Sequence, residues 1–162
     1  MLKKMTLMVF LLLNSSLLSA EDKKVFNPKE NNSTKINVKK KTLSGKKLVV
    51  FVSNGDLQVA GMGFGIALSA VKQGADVTIV IGANALKYAF REGDQNIYFA
   101  KEKTPRVLLK SALKSGANIQ LCSANTDEMG LDEDYFIEGI KLVISTEIFR
   151  KVYAENVRVI SF

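Results

Sequence analysis

Apolar and polar positions alternate along this chain between two periods. Leu48-Val-Val-Phe-Val-Ser53 is a continuous apolar, β-branched run, the pattern of a strand covered on both faces. Gly55 and Asp56 break it, and from Leu57 to Gly74 the spacing becomes helical. Val59, Met62, Ile66, Ala67, Ala70 and Val71 fall on one stripe there, with Gly74 placed as a C-terminal stop. Asp76 to Ile81 reads as a second buried strand, and Ala83 to Glu92 as a short helix ending at Gly93. Thr104 to Lys114 reads as another helix, with Pro105 in its first turn and Gly116 at its stop. Ala117 to Cys122 and Ile140 to Ile144 are the third and fourth strands, Thr146 to Ala154 a helix, and Val157 to Phe162 the fifth strand. Strands alternating with helices predict an α/β domain of three layers, a five-stranded, mostly parallel sheet with helices on both faces.

The N-terminal residues follow a different pattern. MLKK precedes the apolar run Met5 to Leu13, and NSSLLSA closes at Ala20, so residues 1–20 have the charged region, greasy core and small-residue exit of a signal peptide. That run is too short for a bilayer, which needs about 20 apolar residues. No cysteine follows the greasy core, which argues against a lipid anchor. The expectation is an exported, periplasmic protein without a membrane span in its mature chain.

Charge changes the picture only once it is divided. The net charge is +7, yet residues 21–47 carry nine lysines against three acids, and residues 48–162 carry twelve basic side chains against thirteen acidic. A near-neutral domain over residues 48–162 thus follows a basic leader. Nucleic-acid binding needs a basic face on the fold itself, so no nucleic-acid partner is expected. Residues 21–47 are rich in lysine and asparagine and poor in large apolar side chains, and they read as a disordered tether. Asn31 and Asn32 each match N-x-S/T there, a short pattern that carries no meaning in a bacterial cell.

In a parallel sheet, ligands bind beyond the carboxyl ends of the strands. Three loops qualify: Ser53 to Asp56, Gly82 to Asn84, and Cys122 to Asn125. The glycines of Gly61-Met-Gly-Phe-Gly65 do not make a dinucleotide fingerprint. They begin eight residues after Ser53, Ile66 stands where the last glycine belongs, and no acid closes the second strand. Nor does that stretch contain a lysine or arginine to hold an anion, so close packing of a helix against a neighbour explains it better. The chain has no histidine, which excludes Cys-His pairs, Ser-His-Asp triads and histidine metal sites, and no metal or cofactor is expected. Its one cysteine, Cys122, excludes an internal disulfide and a C-x-x-C motif.

A single thiol in an exported protein is either buried and inert or kept for its reactivity. A helix opening at Asn125 or Thr126 would favour its thiolate, whereas Asp127, Glu128, Asp132, Glu133 and Asp134 would oppose it. Those acids lack the spacing of a calcium loop and read as a solvated segment.

The order LVVFVSNGD, AVKQGADVTIVIGANAL, LLKSALKSGANIQLCSANTDEMGL and FIEGIKLVISTEIFRKVYAENVRVISF resembles the DsrE/DsrF-like family of sulfur-relay proteins, over about Leu48 to Phe162. The most specific parts are the cysteine ending the third strand with Gly130 beyond it, and the closing EGIKLV and VRVISF. The resemblance implies a flavodoxin-like sheet and assembly as a homo-oligomer, trimer or hexamer. It also implies sulfurtransferase chemistry in which Cys122 carries sulfur as a persulfide and exchanges it with a thiol-bearing donor or acceptor protein. Ser123 and Asn125, with the backbone amides after Cys122, are then candidates to stabilise the sulfur, and Asn54, Gly55 and Asp56 to line the facing loop. The chain departs from the sulfur-transferring members at Met129, where a basic residue often precedes the glycine. The competing reading is a non-catalytic oligomeric module of the same fold that binds a ligand or partner, with Cys122 packed away. A thiol peroxidase fits less well, because no threonine or proline precedes Cys122 in the manner of those enzymes.

Overall fold

The computed structural model describes residues 42–92 and 104–162. The leader, nearly all of the tether and the end of the helix expected at Gly93 lie outside them. Five strands form one sheet: β1 (Lys47–Val52), β2 (Asp76–Ile81), β3 (Asn118–Cys122), β4 (Lys141–Val143) and β5 (Val157–Ser161). Their order is β4-β3-β2-β1-β5 and every pairing is parallel. Helices α1 (Leu57–Lys72), α2 (Pro105–Lys114), α3 (Ser123–Asp127) and α4 (Ser145–Val152) connect them, with 3₁₀ turns at Ala83–Tyr88 and Glu133–Tyr135. No helix among the described residues is long and apolar enough to cross a membrane.

This order dictates how the sheet is covered. From β1 to β4 the chain steps across the sheet in one direction, and right-handed crossovers keep α1 and α2 on one face. The return from β4 to β5 runs the other way, so α4 lies on the opposite face. The two cores differ accordingly. Val50, Val52, Ile79, Ile81, Ile119 and Leu121 of the sheet pack with Phe64 of α1 and Leu109 of α2 in the larger core. Beneath α4 a small cluster of Val49, Val80, Val143 and Ile148 packs with Phe51 and Cys122.

The stripe expected on α1 is buried only in part: Ala67 and Ala70 lie in the core and Val71 packs against it, but Met62 and Ile66 do not. Ala60, Phe64, Ala67 and Ala70 face the sheet, whereas Met62 is 55% and Ile66 39% exposed. The helix is apolar around most of its circumference, so hydrophobicity alone does not mark the face that meets the sheet. A Cβ on Gly63 would stand 2.9 Å from Val52 Cγ2 and 3.0 Å from Phe162 Cδ2. Gly63 therefore serves close packing, whereas a Cβ on Gly61 or Gly65 would meet only ordinary contacts, and Asp56 caps this helix by accepting from Gln58 N and Val59 N.

Other boundaries move for local reasons. The helix expected to run to Glu92 stops at Tyr88, because the backbone of the next residues pairs elsewhere: Ile137 N donates to Ala89 O, and Arg91 N to Tyr135 O. Buried Arg106 holds the same turn by donating to the carbonyls of Tyr88, Phe90 and Arg91. Burial lowers the pKa of this guanidinium below its ordinary value. The domain also begins before Leu48. Leu43 packs against the larger core and its amide donates to Gln73 O at 2.8 Å, so residues 43–47 are anchored at the end of α1 and are not part of a tether.

Candidate functional site

Cys122 is the last residue of β3, in register with Val143 of β4. Strand alternation places Asn118, Gln120 and Cys122 on the face that α4 covers, and Ile119 and Leu121 in the larger core. The thiol is half-buried, with Sγ 3.7 Å from Ser145 Oγ in the first turn of α4. It forms part of the wall of a cavity of about 370 Å³. That cavity opens at the carboxyl edge of the sheet. Phe51 and Val52 line it from the end of β1 with Ser53 just beyond, Val80 and Ile81 from the end of β2 with Gly82 and Ala83 beyond, and Ile148 and Phe149 from α4.

The helix after the thiol starts earlier than expected. α3 opens at Ser123, so Cys122 itself occupies the N-cap position. No side chain caps α3, and none caps α4 at Ile144, whereas Asp56 caps α1 and Thr104 caps α2. A helix start without a side-chain acceptor leaves its first amides available to other acceptors.

The expected site residues divide between two places. Asn125 lines the thiol's cavity, and its buried Oδ1 has no hydrogen-bond partner among the described residues. Ser123 does not line the cavity, and its carbonyl accepts from Thr126 Oγ1 at 3.0 Å. Asn54, Gly55 and Asp56 line a separate cavity of about 510 Å³ with Asn84, Lys87, Phe90 and Met129. The turn itself engages them: Asp56 N donates to Asn54 Oδ1 at 2.8 Å, Tyr88 Oη donates to Gly55 O at 2.8 Å, and Asp56 caps α1. Gly55 is held tightly, since a Cβ there would meet Asn84 O at 2.7 Å. Residues that sequence reasoning missed are Ser145, Ile148 and Phe149. The one available signal is Ser145 as the first residue after the apolar run Ile140 to Ile144, since a strand-end loop is where a side chain reaches the sheet edge.

The fold is shared with solved proteins. The YchN protein of E. coli superposes with a TM-score of 0.58 at 15% identity, over 72% of this chain and 98% of that one. MTH1491 from Methanobacterium thermoautotrophicum, a protein of unknown function, gives a TM-score of 0.53 at 15% identity, over 72% of this chain and 99% of that one. No curated protein matches the sequence. The DsrE/DsrF-like family model matches residues 46–162, which take in all five strands and the cysteine at the end of β3. By that match and by its five-stranded parallel sheet, the chain belongs to the DsrE/DsrF-like family.

Proposed function

We propose that the protein is a single-cysteine sulfur carrier, with Cys122 as the group that holds the sulfur. The observation that carries this reading is the half-buried thiol in the wall of a cavity at the carboxyl edge of the sheet, 3.7 Å from the Ser145 hydroxyl. A thiol so placed is reachable yet shielded. As thiolate, Cys122 attacks the outer sulfur of a sulfane donor, the donor's S–S bond breaks, and the departing group leaves with the electron pair. The persulfide then passes its outer sulfur to an incoming thiolate by the same exchange, which regenerates Cys122. Ser53, Asn125 and Ser145 are the polar residues lining the cavity that receives the added sulfur, and Asn125 Oδ1 is without another partner among the described residues. Purified protein treated with polysulfide is expected to gain one sulfur by intact mass and lose it on reduction. No adduct, together with a thiol that alkylating agents reach only after unfolding, would sink the reading.

The proposal includes assembly as a homo-oligomer, trimer or hexamer. Its support is the outer side of α1, where Met62 and Ile66, with Val107 of α2 at 40% exposure, stand in solvent on the isolated chain. Met62 also lines a groove of about 790 Å³ between α1 and α2, together with Gly61, Gly65 and Leu108. Apolar side chains gathered on one helix face mark an interaction surface. Met62→Asp is expected to lower the sedimenting mass to that of a monomer without loss of helix content. A wild-type chain that already sediments as a monomer contradicts the assembly.

A further inference from the structure

The cavity beside Cys122 differs from the others in charge. Its lining comprises apolar side chains with Ser53, Asn125 and Ser145, and no charged residue among the described ones. Three other cavities each include a lysine: Lys72 in the groove between α1 and α2, Lys87 in the one beside Asn54, and Lys47 and Lys151 at the amino ends of the strands. The space before the thiol therefore offers an anion no cationic side chain among the described residues. Bringing a carboxylate into such a wall forfeits hydration that no cationic side chain of the lining replaces. Phe51 and Val80 supply apolar surface from the sheet, and Phe149, 57% exposed, does so from α4.

We infer that this cavity selects an uncharged sulfane donor, a neutral hydropersulfide R–S–S–H whose R group is apolar, over anionic donors. The inference rests on the carrier reading of Cys122. The step balances without an oxidant or reductant: thiolate Cys122 bonds to the terminal sulfur, the R–S to S–H linkage breaks, and R–S⁻ departs with the electron pair and takes a proton from water. Cys122–S–S–H remains. At about 370 Å³ the cavity is of the size that holds small ligands. R sits against Phe51, Val80 and Phe149, and the sulfur chain points to Cys122. Selection then arises from the charge the wall cannot pair rather than from a tight fit.

The test uses two donors that differ by one carboxylate, benzyl hydropersulfide and 4-carboxybenzyl hydropersulfide. Sulfur uptake by the full chain is followed by intact mass, and the rate ratio is divided by the same ratio for urea-unfolded chain. The folded protein is expected to favour the uncharged donor by about tenfold or more. Phe149→Lys, at the exposed rim, is expected to narrow that preference by speeding the carboxylated donor. Equal normalised rates, or faster uptake from the carboxylated donor, would overturn the inference and leave the carrier standing. Uptake from neither donor would overturn both.

Discussion

Gly63→Leu is expected to destabilise the protein by about 3 kcal/mol or more, with a matching fall in the denaturation midpoint. Gly61→Ala and Gly65→Ala, one turn of the same helix away or less, are each expected to stabilise it by up to about 1 kcal/mol. The opposite signs follow from what each added carbon meets. At Gly63 a Cβ would lie 2.9 Å from Val52 Cγ2 and 3.0 Å from Phe162 Cδ2, and the rest of a leucine would have to push through both. At Gly61 and Gly65 the nearest atoms are Pro105 Cγ at 3.8 Å and Leu108 Cδ1 at 3.9 Å, ordinary contact distances. There the gain in helix propensity outweighs packing cost. The same contact reaches the candidate site, because Val52 lines the thiol's cavity and Ser53 N donates at 2.9 Å to the carbonyl of Phe162. Forcing α1 away from the sheet disturbs the cavity wall as well as the core. Urea titration of the three variants checks this, and effects of one sign at all three positions would refute the packing account.

The second large effect is chemical. Cys122→Ser is expected to abolish sulfur uptake completely while stability changes by no more than about 1 kcal/mol. Loss is total rather than partial because the chain holds one cysteine, and a hydroxyl forms no persulfide. Stability is spared because the side chain is half-buried and Ser145, 3.7 Å away, still finds a hydroxyl across from it. Intact mass after polysulfide treatment, with thermal melting alongside, separates the two effects. Sulfur on the variant would place the reactive group elsewhere than Cys122.

Much of this fold is legible in the sequence. Continuous apolar runs bounded by glycine mark buried parallel strands, and Gly74 and Gly116 end their helices at φ +90° and +99°, where a side chain would be strained. The position of Cys122 at a functional edge is also legible, since it closes an apolar strand. The buried face of α1 is legible only at Ala67, Ala70 and Val71, because Met62 and Ile66 are as apolar as the residues that pack inward, and the contact with Val52 selects for absence of a side chain at Gly63. The partners of the thiol are hidden for a topological reason. α4 reaches Cys122 by the return from β4 across the sheet, and no local spacing brings Ser145 or Phe149 beside residue 122. Asn54 and Asp56 follow a strand end as Cys122 does, yet an Asp just before a helical run is also an N-cap, and that role is the one its hydrogen bonds fill.

A carrier must give as well as take. The most direct measurement loads the protein with one sulfur, removes the donor, adds an excess of a small acceptor thiol under native conditions, and follows the mass of both. The protein is expected to lose its sulfur, an equal amount of acceptor persulfide to form, and the regenerated Cys122 to load again. Sulfur that stays on the folded protein and leaves only on unfolding would contradict the carrier reading.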